Sequence, residues 1–348
     1  MKQIYILAII LFFTCIKINA QTTDVVTGLS NPTGLALNGN DLYIAEATGD
    51  KISKIDITAT IPAATDVVTG VNFPHGLTLN GNDLYIVEYS GDKISKIDIT
   101  DTTPVATDVV TGLNDPVELT LNGNDLYISD IVGGKIYKID ITDTTPVATD
   151  VVTGLNGPCG LALNGNDLYI AVIDDNKISK IDITAATPIA PDVVTGLDAP
   201  FGLALLGNNL YISEYEGNKI SKIDITDTTP VATDVATGLN RPGQILLNGN
   251  ELYISEFEGN KVSKINNVLS LEENILKPKI KLYPNPSNDY IQLSNFIFEE
   301  GYTIYNMLGA KMKCSNISNN QKIDIQNLTN GLYFLKFDNG NTIKFLKD

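Results

Sequence analysis

Short apolar segments alternate with turn-forming residues along most of the chain, and the whole arrangement returns every 42 residues. Six aspartates each open the sequence DVVTG or a near copy of it: Asp24, Asp66, Asp108, Asp150, Asp192 and Asp234. The apolar segments are too short for helices, so the pattern predicts strands. A period of this length filled with short strands is typical of a propeller, in which each repeat forms one four-stranded blade.

Turn-forming residues locate four strands in the first repeat. We predict strand a at 35–37, strand b at 42–46, strand c at 51–57 and strand d at 65–69. Between strands a and b, Asn38 and Gly39 predict a type I′ hairpin turn, whose two central positions both need a positive φ. The sequence LNGNDLYI at this hairpin returns in near copies in the other five repeats, so we expect one such hairpin in each blade.

The order of the strands predicts how the ring closes. The first copy of strand d, at 24–28, precedes any a-b-c set, and no strand d follows the last a-b-c set, at 245–265. The N-terminal strand should therefore complete blade six and hide two sheet edges at once. A solenoid of the same repeats would need capping ends, which the sequence lacks. The predicted fold class is all-β: a six-bladed β-propeller with a small C-terminal β-sandwich.

The repeats differ from one another mainly on one face. In a propeller, the d-to-a and b-to-c connections lie on one face; they correspond to positions 28–33 and 47–50 of the first repeat and form what we call the variable face. The opposite face carries near copies such as NGND and DTTPVATD, whereas the variable face changes in every blade. Neutral drift in exposed loops would have altered both faces, so the pattern favours a recognition surface.

Aromatic side chains predominate among the candidate ligand-binding residues of the variable face. These candidates are Phe73, His75, Tyr89, Phe201, Tyr215, Phe257 and Arg241. Aromatic planes beside carboxylates suit sugar rings, or peptides with basic groups.

An acidic residue ends strand b in five of the six repeats, and Val172 replaces it in the fourth. The five carboxylates are Glu46, Glu88, Asp130, Glu214 and Glu256. A ring of oxygen ligands suits calcium, so these residues are candidate metal ligands at the mouth of the channel. The alternative is hydration at the strand ends, or pairing with the lysine at the Lys51 position of strand c.

The repeat motifs resemble those of a known propeller family. Pro-x-Gly-Leu, Gly-Asn-Asp-Leu-Tyr-Ile-x-Glu and Lys-Ile-Ser-Lys-Ile-Asp are similar to the NHL-type repeat and its relatives in the six-bladed TolB-like propellers, over residues 24–265. That family contains binders, lyases and lactonases, so the resemblance implies a fold rather than an activity.

Catalysis is the alternative to binding. Related lyases imply histidines for metal binding or proton transfer, but this chain has a single histidine, His75, which cannot form a multi-histidine zinc site. A dyad of His75 with Cys159 would join side chains two blades apart, whereas a nucleophile and its base must approach within about 3 Å. We assign no catalytic residue, and a lactonase-like calcium site of carboxylates and asparagines stays open.

The net charge disfavours nucleic acid as a partner. The formal charge of −17 becomes −19 when residues 1–20, with Lys2 and Lys17, are removed. Residues 21–276 hold 13 basic and 35 acidic residues, a net charge of −22. Such a field repels phosphate backbones and anionic membrane surfaces, whereas cations are suitable partners.

The N-terminus predicts export. Residues 1–20 have a basic start, an apolar run at 4–13 and a small residue at Ala20, which is typical of a cleaved secretory signal. A lipoprotein cleaved at Cys15 is the alternative. No other segment is apolar for long enough to cross a bilayer. Of the remaining cysteines, Cys159 and Cys314 fall in different predicted domains, so no disulfide is expected.

The C-terminal residues change in character. LYPNPSNDYIQL at 282–293, YTIYNMLGAKM at 302–312 and IDIQNLTNGLYFLKF at 323–337 alternate apolar residues between Asn, Gly and Pro clusters, which predicts a small β-sandwich. These blocks, followed by a final lysine-bearing strand, resemble the type A sorting domain of the type IX secretion system. The resemblance implies a Gram-negative host and export across the outer membrane, with the passenger released or attached to the surface.

Three c-to-d loops contain Asp-Thr-Thr, which resembles the O-glycosylation sequon of bacteria that use this export system. The candidate acceptors are Thr102, Thr144 and Thr228. An ordinary turn is the alternative, because Asp and Thr favour turns on their own account.

Together these observations predict four regions: a signal peptide at 1–20, a propeller at 21–266, a linker at 267–277 and a sorting domain at 278–348. We expect a monomeric, secreted or surface-displayed propeller that binds a carbohydrate, peptide or protein, with the type IX machinery as the partner of residues 278–348. A metal-dependent hydrolase, lyase or lactonase is the alternative.

Overall fold

The computed structural model describes residues 20–268, 281–294, 300–307, 309–317, 322–337 and 342–348. Residues 1–19 of the predicted signal peptide and residues 269–277 of the predicted linker lie outside this part of the chain. The chain divides into two compact units, Met1–Leu271 and Glu272–Asp348.

The first three blades follow one another along the chain after a separate first strand, β1 (Thr22–Thr27). Blade one comprises β2 (Pro32–Asn38), β3 (Asp41–Glu46), β4 (Lys51–Asp56) and β5 (Thr65–Thr69). Blade two comprises β6 (Pro74–Asn80), β7 (Asp83–Glu88), β8 (Lys93–Asp98) and β9 (Thr107–Thr111). Blade three comprises β10 (Pro116–Asn122), β11 (Asp125–Asp130), β12 (Lys135–Asp140) and β13 (Thr149–Thr153).

The remaining blades repeat the same order. Blade four comprises β14 (Pro158–Asn164), β15 (Asp167–Val172), β16 (Lys177–Asp182) and β17 (Asp192–Thr195). Blade five comprises β18 (Pro200–Leu206), β19 (Asn209–Glu214), β20 (Lys219–Asp224) and β21 (Thr233–Thr237). Blade six contains β22 (Pro242–Asn248), β23 (Glu251–Glu256) and β24 (Lys261–Ile265). Short 3-10 turns at Ala47–Gly49 and Tyr89–Gly91 follow strand b of the first two blades.

Strand β1 completes blade six, which confirms the predicted closure of the ring. The sheet has the order β1-β24-β23-β22, and β1 runs antiparallel to β24 from the pair Thr22 and Ile265 to the pair Thr27 and Lys261. The Lys261 ammonium also lies 2.7 Å from the Asp24 carboxylate. Strands β2 and β22 are neighbours, so the first and last blades meet and the all-β ring is continuous.

Strand b is buried on both of its faces in every blade. In β3, the residues from Leu42 to Glu46 are all buried, and Leu42 and Ile44 are fully so. Strand b lies between strands a and c of its own blade and packs against the neighbouring blades, which explains its continuous apolar run. Strand d is the outer edge, and only one residue of β5, Val68, is buried.

The predicted type I′ turn is wrong. Asn38 pairs with Asp41 as the last residue of the strand, so Gly39 and Asn40 are the two central residues of the hairpin. Gly39 has a φ of 59° and Asn40 has no positive φ, which is the pattern of a type II′ turn. The predicted boundaries also differ slightly, because strand a begins at Pro32 rather than at residue 35, and strand c ends at Asp56.

The C-terminal unit is a small β-sandwich, as predicted. Its strands are β25 (Lys281–Tyr283), β26 (Tyr290–Ser294), β27 (Glu300–Asn306), β28 (Lys311–Ile317), β29 (Lys322–Asp324), β30 (Gly331–Phe337) and β31 (Thr342–Lys347). They form two sheets of order β25-β26-β29 and β28-β27-β30-β31. Buried side chains from both sheets share one core, which includes Ile291, Ile323, Ile304, Leu335 and Phe345.

The first prediction concerns the closing strand. Deletion of residues 21–29 should expose the edge of β24 and lower the melting temperature or cause aggregation, because Val26 and Leu29 leave the core and a sheet edge becomes free. Thermal unfolding with light scattering measures the effect. A synthetic peptide of residues 20–30 should restore the melting temperature, and the same peptide with Val26→Asp should not. Unchanged melting of the deletion variant would disprove this closure.

Candidate functional site

The d-to-a loops of the variable face are held in a left-handed backbone conformation. The residue before the loop proline has a φ between 47° and 73° in all six blades: Asn31, Phe73, Asp115, Gly157, Ala199 and Arg241. This region costs a residue other than glycine about 1–2 kcal/mol. The backbone N–H of Phe73 donates to Asp50 Oδ1 of the preceding blade at 3.0 Å, and that of Arg241 donates to Asn218 Oδ1 at 2.9 Å. Such bonds between blades recur at Asn31, Asp115 and Ala199.

A β-bulge at the start of strand a directs the next residue toward the axis. In blade one, Pro32 lies opposite Glu46 and Leu35 opposite Ile44, so three residue steps of β2 match two of β3. The same shift occurs in the other five blades. Bulges are common beside functional sites, where they redirect a side chain.

These loops and bulges enclose a cup of about 380 Å³ on the variable face. Eleven residues line the cup: Thr33, Phe73, His75, Tyr89, Val117, Ile131, Ile173, Phe201, Tyr215, Gly243 and Phe257. Six of the seven predicted ligand-binding residues are among them, and the seventh, Arg241, lies over the Tyr215 ring at 5.2 Å. The predicted residues are therefore brought together, around a lining that is mainly apolar.

Aromatic rings from opposite blades meet across the axis. His75 of blade two lies 6.3 Å from Phe201 of blade five, between ring centroids. His75 also stacks on Tyr89 at 5.0 Å, and Phe201 contacts Tyr215 at 5.9 Å. Phe73 and Phe257 extend this arc at its two ends. Such ring pairs contribute about 0.5–1.5 kcal/mol beyond the area that they bury.

Burial keeps the His75 imidazole neutral. Its Nδ1 atom is buried without a hydrogen-bond partner, although the ring as a whole is partly exposed in the cup. Burial lowers the pKa of His75 to about 4. At neutral pH the imidazole therefore carries no charge, and because Nδ1 is buried, it offers a ligand at most its other nitrogen, Nε2.

Charged groups surround the cup at its rim. The Arg241 guanidinium lies 2.9 Å from a Glu258 oxygen and 3.3 Å from a Glu216 oxygen. The Tyr89 hydroxyl donates to Asp115 Oδ2 at 3.3 Å, and burial together with the nearby Asp115 charge raises the pKa of Tyr89. Both tyrosines of the cup are thus oriented by charged residues at its edge.

The five carboxylates proposed as metal ligands are not brought together. Glu46 is buried and accepts the Ser30 backbone N–H at 2.8 Å, and its other oxygen lies 3.5 Å from Lys51 Nζ. The other four accept a backbone N–H from the d-to-a loop of their own blade: Glu88, Asp130, Glu214 and Glu256. Lysine pairing recurs for Glu88, Glu214 and Glu256. The lysine pairing of the alternative interpretation is present for four of the five carboxylates, and the bonds to the loop backbone are a role that the sequence did not predict.

Blade four compensates for the loss of this carboxylate. Val172 replaces it, and Asp175 three residues later accepts a hydrogen bond from Asn156 Nδ2 at 3.0 Å and pairs with Lys177 at 3.2 Å. Within the described residues, no three or more metal-ligating side chains converge. The residues present therefore do not fit a calcium ion at the channel mouth.

The environment of Cys159 does not suit a nucleophile in a catalytic dyad with His75. It is fully buried, its Sγ contacts the Pro200 carbonyl at 3.4 Å, and burial raises its pKa to about 12. A nucleophilic cysteine needs a lowered pKa, so this thiol is a packing residue. Cys159 and Cys314 are both free thiols.

Glu118, a buried carboxyl group, lies one residue further along strand a than the cup residue Val117. Glycine occupies this position in four blades, and Gln244 occupies it in blade six. The Oε1 atom of Glu118 lies only 2.7 Å from where a Cβ on Gly76 would be, so the glycine leaves room for this carboxyl group. Glu118 is buried, and burial raises its pKa to about 8, although the Leu119 backbone N–H donates to Oε1 at 3.0 Å. The sequence signal for this group was an acidic residue at a position where four of the other five repeats have glycine.

The opposite face differs in its chemistry. Thr102, Thr144 and Thr228 are exposed in c-to-d loops of blades two, three and five. Their exposure leaves them accessible to modification, and their O-glycosylation stays a prediction. In the described part of the chain, no helix is both long and apolar enough to cross a bilayer.

Residues 281–347 match the family described as the secretion system C-terminal sorting domain. The C-terminal unit is therefore a sorting domain of the type IX class that its sequence blocks resembled, and it implies export to the cell surface or secretion. No curated protein matches the chain by sequence.

The propeller is similar to several solved structures. A gluconolactonase from Xanthomonas campestris has 14% identity and a TM-score of 0.59, over 71% of this chain and 89% of that one. An inactive variant of virginiamycin B lyase from Staphylococcus aureus, solved with quinupristin, has 17% identity and a TM-score of 0.52, over 79% and 95%. A Bacteroides thetaiotaomicron protein of unknown function has 16% identity and a TM-score of 0.57, over 71% and 72%. Identities this low establish the propeller fold alone.

The second prediction concerns Glu118 and pH. Between pH 4.5 and about 8, the unfolded chain releases this proton while the folded chain keeps it, so the free energy of unfolding falls as the pH rises. Glu118→Gln should remove this fall and stabilise the protein at pH 8 by about 2–4 kcal/mol, with little change at pH 4.5. Urea denaturation of the wild type and the variant at pH 4.5 and pH 8 measures the free energy of unfolding under each condition.

The opposite blade offers the matched control. Gln244→Glu introduces a carboxyl group at the equivalent position and should create the same loss of stability with rising pH. Equal pH profiles for the wild type and Glu118→Gln would contradict the raised pKa.

Proposed function

We propose that the chain is a secreted or surface-displayed propeller that binds an extracellular carbohydrate, peptide or protein through its variable face. The observation that carries the proposal is the cup, since the residues that differ from blade to blade converge on one cavity at the axis. Its volume falls in the range of roughly 300–1,000 Å³ that is usual for ligand pockets. The opposite loops, which are near copies, form no comparable aromatic cluster among the described residues.

The route of export forms the second part of this proposal. A cleaved signal peptide at 1–20 would carry the chain to the periplasm, and residues 278–348 would engage the type IX machinery, in line with the sorting-domain match at 281–347. We propose a propeller at 21–266 joined by a linker at 267–277, acting as a monomer.

A hydrolase, lyase or lactonase of the propeller class is the alternative. The solved neighbours include proteins with such names, but their identity to this chain supports a shared fold only. Hydrolysis of gluconolactone by the purified protein, lost in the Phe201→Ala variant, would favour the enzyme over the binding protein.

The third prediction tests the assignment of the faces. Alanine at Tyr89, Phe201, Tyr215 or Phe257 should weaken binding to a glycan or peptide array, or to cell surfaces, by at least about tenfold, because truncation of a central aromatic anchor costs more than about 1 kcal/mol. Alanine at Thr102, Thr144 and Thr228 on the opposite face is the matched control and should leave binding unchanged. The reverse result would exchange the roles of the two faces.

The fourth prediction tests export. A chain that stops before Lys277 lacks the sorting domain and should accumulate in the periplasm instead of reaching the surface or the medium. Cell fractionation with immunoblotting measures its location. The full chain with Phe201→Ala changes only the propeller and should be exported like the wild type. A truncated chain that still leaves the cell would refute the role of the tail.

A further inference from the structure

The lining of the cup is poor in groups that could satisfy a sugar. The Thr33 hydroxyl already donates within the protein, to the Pro74 carbonyl at 2.8 Å, and the Tyr89 hydroxyl is bonded to Asp115. Apart from His75 and Tyr215, whose ring lies under the Arg241 guanidinium, the other walls are aliphatic side chains, phenylalanine rings and Gly243. Each buried sugar hydroxyl left without a partner would cost about 1–3 kcal/mol. The interior therefore favours an apolar group.

Apart from the hydroxyls of Thr33, Tyr89 and Tyr215, the polar chemistry of the cup is limited to one neutral imidazole. His75 carries no charge at neutral pH, so a charged head group would enter the cup without a counter-ion there. A flat ring with only one polar atom, such as an indole, brings few polar groups into this lining and can pack on the surrounding aromatic faces.

The rim has the opposite character, because it is strongly acidic. The loops of the variable face contain eight acidic residues: Asp50, Asp92, Asp115, Asp174, Asp175, Asp198, Glu216 and Glu258. Arg241 is the only basic residue in these loops, so their net charge is 1 − 8, or −7. Glu216 and Glu258 share Arg241, and their side chains remain about half exposed. The rim thus attracts cations to the edge of an apolar cavity.

From this combination we infer that the cup binds an aromatic side chain of a peptide or protein segment in which lysine or arginine flanks that side chain. This inference rests on the proposed binding function and narrows it to one ligand class. The aromatic ring enters the cup and packs on the rings of Phe201, Tyr215 and His75, and the flanking cations meet the rim carboxylates. The opposite side has a groove of about 710 Å³ at the c-to-d loop of blade three, lined by Tyr85 and Tyr137. The Lys96 ammonium already lies over the Tyr85 ring there, at 5.8 Å, so this groove suits an aromatic ring flanked by cations less well than the cup does.

The composition of the chain supplies a direct assay. The protein contains 15 tyrosines but no tryptophan, so the fluorescence of a tryptophan peptide can be excited selectively at the long-wavelength edge of the absorption band, where tyrosine scarcely absorbs. The probe is acetyl-Lys-Trp-Lys-amide, titrated with the full chain. Entry of the indole into the apolar cup should shift its emission to shorter wavelength with saturation.

Matched peptides separate the two parts of the inference. Acetyl-Glu-Trp-Glu-amide should bind at least about tenfold more weakly at low salt, and the difference should shrink at high salt because exposed charges are then screened. Acetyl-Lys-Ala-Lys-amide and the disaccharide cellobiose should not displace the tryptophan probe.

Matched variants locate the site. Tyr215→Ala and Phe201→Ala should each weaken binding of the tryptophan probe at least about tenfold, and Thr144→Ala on the opposite face should not. Phe201→Leu keeps most of the apolar volume, so it tests the loss of the aromatic ring if the alanine variant fails to fold.

The outcomes separate this inference from the proposed function. Equal binding of the two charged tryptophan peptides, or displacement of the probe by cellobiose, would overturn the ligand class. If no peptide binds while cup variants still lose attachment to an array or a cell surface, the ligand class is wrong and the binding function stands. If cup variants also attach like the wild type, both are wrong.

Discussion

The hydrogen-bonded pairing of β1 with β24 is the interaction on which the rest of the propeller depends. Every other blade is built from consecutive segments, whereas this pair joins residues as distant in sequence as Asp24 and Lys261. Without it, blade six would have a free edge, and only the packing of β2 on β22 and a few hydrogen bonds, such as that from Ser255 Oγ to the Thr33 carbonyl, would hold the first and last blades together. The contact of His75 with Phe201 across the axis requires blades held at a fixed distance, so the cup is a property of the closed ring.

The cup also depends on backbone conformations that cost energy. Phe73 and Arg241 adopt a positive φ that glycine tolerates better, and blade four has Gly157 at the same position. The strain is offset by hydrogen bonds to the neighbouring blade and, in five of the six blades, by a buried carboxylate that holds the loop from below, such as Glu46 on Ser30. A rigid loop loses little conformational entropy when a ligand binds, which suits a preformed site.

Most of the fold could be predicted from the sequence because the repeat is almost undisturbed. A period of 42 residues fixes the number of blades, and the unmatched first and last segments fix the closure. The aromatic candidates were found because several of them occupy the same position of the repeat, in loops whose flanking residues are nearly constant. The hairpin turn was predicted one residue too early, since sequence alone does not reveal that Asn38 still belongs to the strand.

The electrostatic roles were harder to predict, because they depend on contacts between distant residues. A carboxylate at the end of a strand looks the same in the sequence whether it faces a metal or, like Glu88, the N–H of Asn72 beneath its own loop. Glu118 was missed because the room for its side chain depends on Gly76 of the neighbouring blade, which lies 42 residues away in the sequence and has no side chain. The aliphatic wall of the cup, with Val117, Ile131 and Ile173, had no polar or aromatic signal.

The position of the seam within blade six has an evolutionary consequence. The N-terminal and C-terminal strands of the ring meet inside the sheet of blade six, as β1 beside β24. Each boundary between consecutive blades is instead a loop. Recombination between near-identical repeats in the gene would therefore add or remove 42 codons in frame, and the N-terminal strand would still find a strand c of the same sequence type as its partner. The architecture thus permits the blade number to change by gene duplication without a new closure device, after which substitutions on the variable face alone can give each copy its own contribution to the cup.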